Sequence, residues 1–208
     1  MASTASPYGF KAVNELGGLP YAGSTRNIPI SSGYATNIYN GSLVYVQSTG
    51  YLAIATSTGA DATTNGFPTG TANTGCVGVF VGCSFTSPVT KQKVFSQYWP
   101  TGTVASDAVG IVIDDDRTVF QVQSAGSLTV ADLGANVFLN AVQSTSTGST
   151  TSGNSNTAVT ASPVTTTAAF RIIGFVDMQG FSQVGDAYTD ILVKFNPGYH
   201  SYSNAVGL

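Results

Sequence analysis

Between Gly75 and Gln123 the chain runs through alternating β-branched and aromatic residues, cut into four stretches by Gly, Pro, Asp and Ser. Period-two alternation places successive side chains on opposite faces of a strand, and the punctuation between stretches is turn chemistry. A segment of this kind is committed to sheet. It also holds the single tryptophan and the densest acidic cluster, yet no set of residues arranged for a reaction.

The same pattern recurs along the chain. Strands are expected at 27–30, 42–47, 51–56, 77–85, 91–98, 110–113, 118–123, 136–139, 169–176 and 189–195. Two hairpins are expected, one turning at Ser48-Thr49-Gly50 and one at Asp115-Asp116. Helix is confined to one turn after Thr129, with Gly134 as its stop. Many short strands without intervening helices predict an all-β, single-domain β-sandwich or β-barrel, a jelly roll being one such form. Residues 1–25 carry aromatics between Gly and Pro without periodicity and read as an extended N-terminal arm, with the β domain over 26–208. The Ser/Thr-rich stretches 57–74 and 143–157 read as surface loops, the second projecting outward.

Composition narrows what such a domain does. At 208 residues the chain suits one domain, and charged residues are only 8% of it, against roughly 25% in a typical soluble domain. Ser and Thr fill the gap, about a quarter of the chain. A polar surface poor in charge suits packing against partners or into an assembly. The seven Lys and Arg are scattered and the net charge is −3, so no basic stripe exists for nucleic acid. No apolar run is long enough to cross a bilayer, and the N-terminus lacks the pattern of a secretory signal, which predicts a protein made in the cytoplasm.

Each chemically suggestive residue has a simpler explanation. Cys76 and Cys83 lie seven apart in one strand, roughly 23 Å in extended chain, beyond disulfide reach and on opposite faces; buried free thiols are expected. Asp114-Asp115-Asp116 has neither the spacing nor the distal Glu of a calcium loop and reads as a turn offset by Arg117. His200 is the sole histidine and Glu15 the sole glutamate, there is no nucleophile elbow, and Asp107, Asp177, Asp186 and Asp190 single out no acid pair. No catalytic, cofactor-binding or metal residues are therefore expected, and the protein reads as a non-enzyme. Aromatic contact residues remain: Pro7, Tyr8, Phe10 and Tyr21 in the arm, and Tyr98-Trp99 as a ledge at a strand end, all expected at interfaces.

In the order of its segments the chain resembles the head decoration, or capsid cement, proteins of tailed bacteriophages. The segments are SPYGFKAVNELGG, IPISSGYATNIYNGSLVYV, VGVFVGCSF, VFSQYWPTGTVASDAVGIVIDDDRTVFQVQ, TAAFRIIGFVDMQG and GDAYTDILVKFN. The resemblance implies a β-rich subunit on the capsid exterior of a virion. Such a subunit bridges major capsid proteins and self-associates as a dimer or trimer. An outward-facing receptor- or glycan-binding virion module is the alternative.

Overall fold

The computed structural model describes residues 4–59, 75–179 and 181–204. Its strands are β1 (Lys11–Glu15), β2 (Arg26–Pro29), β3 (Leu43–Val46), β4 (Leu52–Ile54), β5 (Gly78–Thr86), β6 (Lys93–Ser96), β7 (Val109–Ile113), β8 (Thr118–Gln123), β9 (Asn136–Val137), β10 (Phe170–Phe175) and β11 (Asp190–Phe195). One sheet has the order β1-β8-β11-β10-β9; the other runs β2-β7-β5-β3-β4, with β6 also on β5. All strand pairings are antiparallel, and the two sheets stack as a sandwich.

Two hydrophobic cores result. The first lies between the sheets, where Leu43, Val79 and Ile113 of one meet Phe120, Phe170, Ile172, Val193 and Phe195 of the other. The second lies on the far face of the β5 sheet, where Val44, Leu52, Ile54, Phe80, Phe85 and Val112 are roofed by segments carrying Ile30, Ile38, Trp99, Ala105 and Ala108. A sheet covered on both faces needs near-continuous apolar strands. That is why β5 reads GVFVGCSF and is buried almost throughout. Cys76, just before β5, lies in the first core and Cys83 in the second, both as free thiols.

All ten expected strands are present, with ends that differ by at most two residues. The Gln47–Tyr51 hairpin closes as expected, with Gly50 at φ 82°. The turn at Val130–Asp132 also forms, and the Asp132 carboxylate accepts both the Thr129 N–H (2.7 Å) and hydroxyl (3.0 Å).

Two expectations are corrected. The segment 110–123 is not a hairpin: β7 belongs to one sheet and β8 to the other. The Asp115 side chain accepts the Arg117 N–H (2.8 Å) and its carbonyl accepts the Thr118 N–H (3.2 Å), so the acidic turn is an arch between sheets. The same turn residues serve either geometry, and only the partners of the flanking strands decide.

The second correction concerns Phe10, expected at an interface, in a segment joined to the domain by a strand. Lys11–Glu15 pairs with β8 through a bulge between Ala12 and Asn14, which broke the alternation that would have marked it as a strand. Phe10 is 1% exposed, its ring 4.9 Å from Phe170 and 6.3 Å edge-on to Phe120. Just before it, Gly9 sits at φ 77°, where a Cβ would meet the Gly41 carbonyl oxygen and Ser155 Cβ at 2.8 Å. Phe10 is thus a core residue and not an interface residue. Deleting residues 1–25 is expected to abolish the near-UV circular dichroism of the whole domain. Phe10→Ala alone should cost about 3–5 kcal/mol in urea unfolding.

Candidate functional surface

The acidic arch is held by structural partners. Asp114 is buried, and Arg26 Nε lies 2.5 Å from its carboxylate, to which the Tyr202 hydroxyl donates at 3.1 Å. Arg26, and not Arg117, therefore provides the direct ion pair. No group of His, Cys, Asp and Glu suited to a metal ion occurs among the described residues.

His200 lies below this arch and is 1% exposed, packed edge-on against Phe195 and Tyr202 and bridged to Cys76. Its Nδ1 accepts the Tyr202 N–H at 3.3 Å, while Nε2 is buried with no hydrogen-bond partner. Burial depresses its pKa below the ordinary value, opposed by the carboxylates of Asp116, Asp114 and Asp115. No hydroxyl or thiol nucleophile is hydrogen-bonded to its ring. Burial also pushes both cysteine thiols up to about 12, which leaves them inert at neutral pH.

The aromatic ledge divides in two. Trp99 is fully buried, donating its indole N–H to the Tyr34 carbonyl (3.2 Å) and meeting Phe85 edge-on at 5.4 Å. It fills the second core, so its side chain is not an interface group. Tyr98, by contrast, is half-buried and stacks on Tyr39 with ring centroids 5.7 Å apart. Tyr21 is half-buried too, and its hydroxyl donates to the Ser24 carbonyl.

Pro7 and Tyr8 lie on the outer face of the β1 sheet. Gln123 clamps the preceding residues, accepting the Ser6 N–H (2.9 Å) and donating to the Thr4 carbonyl (3.3 Å). Lys11 Nζ sits 4.3 Å above the Tyr8 ring. The Tyr8 hydroxyl is buried beside Asp190 and Gln121 without completing a hydrogen bond, and burial raises its pKa.

The second Ser/Thr loop does not project freely. Gln143, 1% exposed, accepts the Leu43 N–H (2.9 Å) and donates to the carbonyls of Leu43 (3.0 Å) and Ala55 (2.9 Å). Tyr39 donates to the Thr145 carbonyl (2.9 Å), while Asn40 and its neighbours exchange main-chain bonds with Gly153 and Ser155. The loop is a strap laced onto the domain, and low-complexity sequence hid the one amide that fastens it. Of the first loop, residues 60–74 lie outside the described residues.

Between this strap and the N-terminal segment, two clefts of about 240 and 280 Å³ open on either side of Pro7. Their walls are amides, hydroxyls and small side chains, including Asn140, Asn154, Asn156 and Ser152, with Tyr188 and Tyr8 as the rings. Neither contains a charged side chain. They can exchange hydrogen bonds with neutral polar groups. No family model, curated protein or solved structure matches this chain.

The buried histidine gives a pH test with a definite sign. The unfolded chain takes up a proton near pH 6.5 and the folded chain only at lower pH, so His200 lowers stability progressively as pH falls below about 6.5. The urea midpoint should decline from pH 7 to pH 5, and His200→Phe should flatten that decline.

Proposed function

We propose that this protein is a structural virion subunit that binds the outside of a bacteriophage capsid and stabilises the shell by bridging major capsid subunits. The observation that carries the proposal is a rigid sandwich, one sheet of which is buried on both faces, with no reactive cluster among the described residues. Exposed large apolar side chains, Phe181 and Leu19 among them, stand on a surface poor in charge. The resemblance of its segment order to that of capsid cement proteins adds to it. A cement subunit works by repeated contact: each copy contributes modestly, and occupancy of many equivalent sites raises the free energy of opening the shell. Low charge limits repulsion between copies packed side by side. Pro7, Tyr8, Tyr21 and Tyr98 stay in contact roles, whereas Phe10 and Trp99 act only from within the core.

Co-sedimentation with expanded shells of tailed-bacteriophage major capsid protein from the same source tests the proposal. Saturable, stoichiometric binding is expected, with Tyr98→Ala weakening it about tenfold. Absence of binding to expanded shells sinks it.

The clefts beside Pro7 favour the second reading, an outward-facing module for neutral glycans, because their lining is uncharged and hydrogen-bonding with a ring at hand. A glycan array that gives specific hits, with no shell binding, selects that reading instead.

A further inference from the structure

Every sheet leaves edges, and four strands at the margins of this sandwich are blunted. Along β1, the returning chain bonds back, with Tyr21 N–H on the Val13 carbonyl (3.4 Å). At β4, Ile30 bridges to Leu52 and the Tyr34 hydroxyl accepts the Ile54 N–H (3.1 Å). β9 exchanges reciprocal bonds with Val164 (2.9 and 2.8 Å). β2 ends with Pro29, which lacks a main-chain donor.

β6 has no such cover. It pairs with β5 in the register Thr86↔Lys93, Phe85↔Val94, Ser84↔Phe95, Cys83↔Ser96. One step further in the same register, the Ser87 N–H donates to the Gln92 carbonyl at 2.9 Å. Counting back in twos from that bonded pair, Val94 and Ser96 direct their main-chain groups to β5, while Lys93 and Phe95 direct theirs outward. No described group bonds to those outward N–H and C=O groups. Phe95 is also 79% exposed. Lys93, the residue type that blunts an edge, turns its ammonium onto Asp107 at 2.9 Å, and that pairing, with the Thr86 bonds, holds the Asp107 carboxyl well below the usual range.

We propose that β6 is the seam of a two-fold homodimer, pairing antiparallel with β6 of a second copy so that Phe95 lies directly opposite its own counterpart. The occupant follows from self-complementarity. A two-fold axis at Phe95 makes the outward N–H and C=O of each copy partners of the other. It sets Lys93 against Gln97 and Val94 against Ser96, so no like charges face each other. Both Phe95 rings fall on the same face of the joined sheet, where each covers the other. A seam this short gives a weak dimer, with a Kd of micromolar order.

Sedimentation of the full chain at about ten times that concentration should give twice the 21.3 kDa chain mass. Phe95→Pro removes the outward N–H and the ring while leaving the bonds to β5, and Phe95→Asp places like charges in contact; both should be monomeric with an unchanged far-UV spectrum. Phe95→Cys should form an intersubunit disulfide on mild oxidation, since bonded-pair Cα atoms about 5.5 Å apart lie within disulfide reach. Lys93→Cys and Gln97→Cys, each singly, should not. A wild-type monomer, a dimer unaffected by both Phe95→Pro and Phe95→Asp, or cross-linking at 93 in preference to 95 overturns the seam. It stands apart from the capsid reading: a monomeric variant that still binds shells leaves that reading intact, and a dimer that binds none leaves this one intact.

Discussion

The structure depends on one constraint, that the sheet built around β5 is buried on both faces. Packing against the β1 sheet gives one core, and the roof over Trp99 gives the other. A strand in that position tolerates no polar face, so β5 carries apolar or small residues almost throughout. It also leaves little room: at Gly78 a Cβ would run into the Ile113 carbonyl of the neighbouring strand. The placement of the N-terminal segment, the acidic arch and the Ser/Thr strap follows from what must cover this central sheet.

The two covers differ in kind. The inter-sheet core is assembled from strands, with Phe10 delivered by the residues just before β1. The second core is closed by irregular chain, whose main-chain groups need partners wherever they are buried. In the roof the Asn37 side chain accepts the Thr101 N–H; elsewhere Tyr34 serves Ile54 of β4, and Gln143 serves Leu43 and Ala55 beside the first core. Each is a lone polar residue in unpatterned sequence, so none announces its role there.

His200 and the acidic trio show how chemically suggestive residues become structural. The carboxylate nearest the core is neutralised by Arg26 and Tyr202, and the histidine is sealed beneath them beside Cys76. The last described residues are thereby fastened across the arch that joins the sheets. Burial then keeps the imidazole neutral and the thiols protonated.

Alternation by itself determined the all-β class and ten of the strands, because period-two patterning is a local property that each segment carries alone. The opposite facing of Cys76 and Cys83 agrees with their odd spacing only because two breaks in alternation, at Gly78 and at the bulge between Phe80 and Gly82, cancel. Tertiary structure decided what depends on partners. Residues 110–123 form an arch because β7 and β8 bond to different sheets, although the Asp turn suits a hairpin equally well. Lys11–Glu15 is a strand because β8 offers it an edge, and its bulge erased the local signal. Trp99 and Phe10 lie inside because two sheets and a roof happen to close over them. The open edge of β6 is likewise invisible in KVFS, since whether a strand's outer groups are covered depends on residues distant in the chain.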